Sequence, residues 1–229
     1  MQDEEAYRGR SRAKIIAISP LAEEAAALLT RTAMRKPPWQ PRSLLAPATA
    51  RGAPMAVSVD SKLLAPPRAT TAQAARFLTP KPNGEYTDAD VRFILTQYFT
   101  VGPSVGLDPL LAVAQMELET AFLASFWAAR PRRNPAGIGV TGKPGAGISF
   151  PSWKVAVRAH LGRLAAYALP ATAGTAAQKA LIAEALTFRP LPPSRRGIAP
   201  TLKGLAGSWA ADPAYAGKIV TIANNMLKA

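Results

Sequence analysis

DPLLAVAQMELETAF, residues Asp108 to Phe122, reads as a helix with its start marked. Asp108 can cap free backbone N–H groups, and Pro109 takes the first helical position, where a missing N–H costs nothing. Leu111, Ala114, Leu118 and Phe122 then recur at helical spacing and trace the expected buried stripe. The same signals recur on either side. Upstream, Thr71 to Leu78 (TAQAARFL) reads as a short helix, and Pro82-Asn83-Gly84 as a turn. Thr87 can cap the next helix, with Asp90 three residues on close to a capping box, followed by Val91, Ile94, Leu95 and Tyr98 at helical spacing. Gly102-Pro103 and Gly106 are expected to break that helix.

Downstream, a Pro/Gly-rich stretch from Pro131 to Ile148 separates the Asp108 helix from a second strong helical pattern, Ser152 to Tyr167. Further helices are expected at Thr175 to Leu186 and Asp212 to Leu227, and Ile138 to Thr141 is at most a very short strand. The pattern predicts a mainly α-helical domain over residues 67–229, with a glycine/proline-rich loop in its middle. Residues 1–66 differ: Leu21 to Arg31 reads as one helix of strong helix formers. Pro37-Pro38, Pro41, Pro47, Pro54 and Pro66-Pro67 then pin a Pro/Ala/Arg-rich extended arm.

The 229 residues include no cysteine and a single histidine, His160. That excludes disulfide scaffolds, thiol catalysis, Cys-ligated zinc and a histidine cluster for a metal. No apolar run approaches the ~20 residues of a membrane helix. The N-terminal Met-Gln-Asp-Glu-Glu is acidic where a secretory signal is basic. Lys plus Arg number 28 against 14 acids, a net charge of +14, which suits an anionic partner: nucleic acid, lipid headgroups or wall polymers. Nucleic acid is not expected, because no zinc-finger, RNA-recognition or basic-zipper signature occurs and aromatic residues are only 7%.

Carboxylates are unevenly distributed. After Glu119 the next acid is Glu184, with eight Lys or Arg between. A cleft wall built by the 131–150 loop therefore has no carboxylate of its own, whereas a glycosidase usually works with two. Glu117 and Glu119 lie about 200° apart around a helix and cannot act as a pair. One is expected to face solvent while the other approaches a ligand; both are also readable as surface charges. On a partly buried shoulder beside Phe122 and Trp127, Glu119 has its pKa raised, as a general acid requires. His160 reads as a packing residue, Ser149 and Ser152 lack triad partners, and Gly142-Lys143-Pro144 is no phosphate loop.

Leu111 to Ser125, LAVAQMELETAFLAS, resembles the Ala-Gln…Glu-Ser/Thr…Ser helix of the bacterial and phage endo-β-N-acetylglucosaminidases, peptidoglycan-cutting members of the lysozyme-like superfamily. The loop NPAGIGVTG (Asn134 to Gly142) resembles their cleft-lining Asn segment. Phe150, Trp153 and Ala159-His160-Leu161 resemble a following motif, and GSWAADPAYAGKIVTIANNML (Gly207 to Leu227) their closing helix. Where members carry Gly-Trp-Gly or Gly-Trp-Phe after the Glu-Thr pair, this chain has Ala121-Phe122-Leu123.

The resemblance implies a lysozyme-like α-helical domain with Glu119 as catalytic acid. It implies substrate contacts from Gln115, Thr120, Trp127, Asn134, Gly137, Phe150, Trp153 and Tyr215, and no metal or other cofactor. The partners implied are peptidoglycan strands and anionic wall polymers, reached on lysis or from a phage particle. Two other readings stand beside it. A muramidase or lytic transglycosylase would use the same Glu119, and a non-catalytic wall-binding or particle module would keep only the fold.

Overall fold

In the computed structural model, residues 56–141 and 147–229 are described. The expected Leu21–Arg31 helix and the prolines of the arm up to Pro54 lie outside them. The described residues form seven α-helices and no β-strand: α1 Thr71–Leu78, α2 Asp88–Ser104, α3 Pro109–Thr120, α4 Trp153–Ala168, α5 Ala176–Phe188, α6 Leu202–Leu205 and α7 Tyr215–Leu227. The mainly α-helical class is as expected from the sequence.

Local chemistry sets most helix starts. Thr70 with Gln73, Thr87 with Asp90 and Thr175 with Gln178 each make a reciprocal capping box. Asp108 accepts from the Leu110 N–H at 3.0 Å, and Ser152 accepts from that of Val155. Two expectations change. α2 continues past Gly102 and carries Pro103 in its last turn, because the missing Pro N–H affects only the fraying end. Ile138 to Thr141 is not a strand; the loop closes instead through the Ile148 N–H on the Ile138 carbonyl at 3.0 Å.

α3 is the central helix. Every residue from Pro109 to Glu117 is buried, and only Leu118 and Glu119 retain partial exposure before buried Thr120 ends it. Such a helix is enclosed on all sides, not amphipathic. The expected stripe is corrected accordingly: Leu111 and Ala114 are core, Leu118 is half-buried, and Phe122 lies past the helix end against Phe77. Around α3 pack α7 on one side and α2 and α4 on others, with α5 against α4. The α4–α5 crossing is close enough that a Cβ on Gly162 would stand 2.3 Å from the Leu181 carbonyl oxygen. Residues just before α1 are stitched into this body: Val57 and Leu63 are buried, and the Leu63 carbonyl receives the Asp108 N–H.

Candidate active site

α3 ends in an unusual way. Ala121, Phe122 and Leu123 all have positive φ, between 48° and 62°, a left-handed run that non-glycine residues rarely adopt. Thr120 holds it: its hydroxyl donates to the Met116 carbonyl at 2.6 Å and accepts from the Leu123 N–H at 2.9 Å. Thr120 is wholly buried, so it shapes the turn after Glu119 and has no surface to offer a ligand. The resemblance placed glycines in this stretch, where left-handed backbone is unstrained.

Glu119 is half-buried. Its Oε1 accepts a 2.5 Å hydrogen bond from the Tyr215 hydroxyl at the start of α7. Its Oε2 lies 3.3 Å from the place a Cβ on Gly137 would occupy, so a side chain there would crowd the carboxyl, and the φ of 60° at Gly137 favours glycine as well. Burial pushes the Glu119 pKa up, while bonding from Tyr215 and the Trp209 indole pulls it partly back. The neighbours that matter are therefore Tyr215, Gly137 and Trp209, not the expected Phe122 and Trp127.

Behind Tyr215 runs a line of buried hydrogen bonds. Gln115 Nε2 donates to the Tyr215 hydroxyl at 2.8 Å, which leaves Gln115 Oε1 as the accepting end. His160 Nε2, 2.9 Å from that oxygen, must therefore carry the hydrogen. His160 Nδ1 is then the acceptor for the Tyr98 hydroxyl at 2.8 Å. Burial pushes His160 down to about 3, so the ring is neutral and this tautomer is fixed. Every donor from Tyr98 through His160, Gln115 and Tyr215 points the same way, towards Glu119. His160 is thus part of the site's support, which its helical pattern alone did not reveal.

Glu117 does not face solvent, contrary to expectation. It is fully buried, neither carboxyl oxygen has a hydrogen-bond partner among the described residues, and desolvation pushes its pKa up to about 8. The reason is the all-round enclosure of α3.

Beside Glu119 opens a cavity of about 380 Å³, bounded by the Ala136–Val140 loop, the Arg189–Pro192 segment, Arg163, Tyr167, Arg195 and Trp209. Among the described residues no carboxylate lines it. Asn134 is buried beneath the loop: its Nδ2 donates to the Ile138 and Ile148 carbonyls, and its Oδ1 accepts from the Ala136 and Ile138 N–H groups. It builds the cleft wall without entering it.

The structure thus brings Glu119, Gln115, Tyr215 and Gly137 together, with Asn134 shaping the wall. Phe150 is buried against Phe188, and Trp153 is buried against Tyr86. Trp127 packs on Phe126 and against Gly147, away from the cavity lining. Sequence reasoning did not single out Tyr98, Trp209, Arg163, Arg189 or Arg195. Trp209 stood within the quoted closing segment and Tyr98 within a helical period that marks packing; the three arginines carried no local signal for the site. Among the described residues no three His, Asp or Glu side chains converge on a cation site, and no helix is long and apolar enough to cross a membrane. No family model, curated protein or solved structure matches the chain.

Proposed function

We propose that the chain is a peptidoglycan hydrolase of endo-β-N-acetylglucosaminidase type on a lysozyme-like helical domain, with Glu119 as its general acid. The observation that carries this reading is the Glu119 carboxyl. One oxygen is tied to Tyr215, the other stands beside Gly137, a residue of the cationic cavity's wall, and burial favours its protonated form. The proton passes from Glu119 to the glycosidic oxygen as the bond to the anomeric carbon breaks.

Among the described residues no carboxylate lines the cavity, and Glu119 borders it only through Gly137 and Trp209. The electron pair that replaces the leaving oxygen therefore comes from the 2-acetamido oxygen of the substrate, and water then opens that ring, returning a proton to Glu119. The resemblance of residues 70–228 to the glucosaminidases supports the choice of bond, and the net charge of +14 suits an anionic wall.

Digestion of purified peptidoglycan by the intact protein and by Glu119→Gln tests this, with fragments reduced by borohydride and read by mass spectrometry. Reduced N-acetylglucosamine ends are expected from the intact protein, falling by about 10²–10⁴-fold in the variant. N-acetylmuramic or anhydro-muramic ends would assign the chain to the muramidases or lytic transglycosylases instead. Wall binding without cleavage would make it a binding or particle module.

A further inference from the structure

Ala121 to Ala129, AFLASFWAA, carries no charge and, apart from Ser125, is apolar. Such a stretch is ordinarily core, yet here it forms the irregular turns after α3 and lies largely at the surface. Ala121, Ala124 and Phe126 are exposed, Phe122, Trp127 and Ala129 partly so, and Leu123 and Ala128 are buried. Phe126 is 66% exposed, more than Phe93, Ile198 or Val59, the other exposed large apolar side chains among the described residues. A contiguous apolar patch, unlike an apolar side chain standing alone, marks a surface that meets a partner. The backbone of the stretch is already closed on itself. The N–H groups of Phe122, Ala124, Ser125, Ala128 and Ala129 donate to carbonyls between Glu117 and Ser125, and that of Leu123 to the Thr120 hydroxyl. The carbonyls of Phe126, Trp127 and Ala128 accept from Arg132 Nε, the Asn134 N–H and the Tyr86 hydroxyl. These groups can therefore leave water without being left unpaired.

Cations bracket the patch. Lys81 Nζ sits 5.6 Å from the Phe122 ring centre, and the Arg132 guanidinium 3.6 Å from that of Phe126. Arg132 is oriented there by its Nε bond to the Phe126 carbonyl, and its two Nη groups have no partner among the described residues. Glu85 and Asp90, the acids bonded to this segment, both pair with Arg130. Lys81, Arg132 and Arg133 are left without an ion-pair partner among the described residues. Phe93 on α2 is also exposed, yet no aromatic ring or cation packs on it among those residues. A soluble polyanion would engage the guanidinium of Arg132 but leave Phe126 and Trp127 in water. An anionic bilayer accommodates both, with the charges at headgroup level and the rings at the edge of the acyl chains.

We infer that the Ala121–Ala129 turns, with Lys81, Arg132 and Arg133, dock this domain on an anionic lipid surface. Phe126 and Trp127 enter the boundary between headgroups and acyl chains, and the three cations lie among the lipid phosphates. The net charge of +14 draws the chain to such a surface, and the aromatic pair decides which face of it lands. This docking does not depend on the glycosidase reading.

Flotation of the full chain with vesicles tests the inference at about 0.15 M salt. One set of vesicles holds phosphatidylglycerol and phosphatidylcholine in equal parts, the other phosphatidylcholine alone. Binding to the anionic set is expected to be tighter by about tenfold or more. Phe126→Ser should weaken it by about tenfold and Arg132→Gln by about fivefold, while Phe93→Ser leaves it unchanged. Phe126 is exposed, so its variant keeps the fold, which an unchanged thermal melt verifies; Arg132→Gln keeps the ring and probes the same surface independently. Equal binding to both sets, or binding to neither, overturns the docking surface. Anionic binding that survives Phe126→Ser overturns it too, as does equally tight binding to soluble inorganic polyphosphate, because charge alone then accounts for the affinity. A loss from Phe93→Ser as large as that from Phe126→Ser moves the surface to α2 and likewise overturns it. The readout is vesicle binding, so the result is separate from the cleavage of peptidoglycan.

Discussion

Glu117 and Glu119 are two residues apart on α3, and burial raises both carboxyls, yet the two sides of the helix handle them differently. On the Glu119 side, four side chains from four helices line up their donors behind one oxygen, while the other stands beside Gly137 of the cavity wall. On the Glu117 side no hydrogen bond from the described residues reaches either oxygen, and among them Lys81 is the charge that favours ionisation. Desolvation alone makes a carboxyl neutral; a directed partner and an open side make it useful. The same contrast holds between Glu117 and His160, two buried groups whose neutral forms are favoured and whose titrations oppose each other.

The largest effect is expected from Glu117→Gln. The folded pKa of Glu117, about 8, lies above its ordinary 4.5, so the folded state binds the extra proton and the associated stability is lost as pH rises from 4.5 to 8. The loss is on the order of 5 kcal/mol. His160 runs the other way: with a folded value near 3 against an ordinary 6.5, its contribution is present above 6.5 and lost as pH falls towards 3. Between 4.5 and 6.5 the two slopes cancel, giving a plateau with a fall on each side. Denaturant unfolding from pH 3.5 to 8.5 should show Glu117→Gln without the alkaline fall and nearly unchanged at pH 5. A fall that persists in the variant removes Glu117 as its source.

His160→Phe should lose the acid-side fall and also orphan the Tyr98 hydroxyl and Gln115 Oε1, lowering stability at pH 6 by about 3 kcal/mol. If the relay only packs the core, the alkaline limb of the cleavage–pH profile stays in place; if it positions Tyr215, that limb moves. Tyr215→Phe is the mildest change, about 1–2 kcal/mol for the unpaired Gln115 amide. Because the Tyr215 bond lowers the Glu119 pKa, its removal keeps Glu119 protonated to higher pH, and the alkaline limb should shift upward. A downward shift in the measured profile would break the assignment of Glu119 as the acid.

α1 was legible to the residue, and the starts of α2 to α5 to within one, because capping residues act over three or four positions and carry their signal locally. α6 was missed: four residues between Thr201 and Ala206 are too short for a period to register. Glu119 and Gln115 were legible through a motif on one helix face, and Tyr215 and Gly137 through the resemblance. Their linkage was not, since the bonds joining Tyr98, His160, Gln115, Tyr215 and Glu119 span 45 to 100 residues of chain.

What the sequence determined by itself is therefore the helical class, the caps, the cationic surplus and the carboxylate-free loop, all consequences of neighbouring residues or of composition. Which carboxylate is sealed and which is open depended on the packing of α2, α4 and α7 around α3, and only the tertiary structure decided it. A helical period fixes the angle between Glu117 and Glu119, but the environment each meets is supplied by distant segments, and desolvation is a property of that environment.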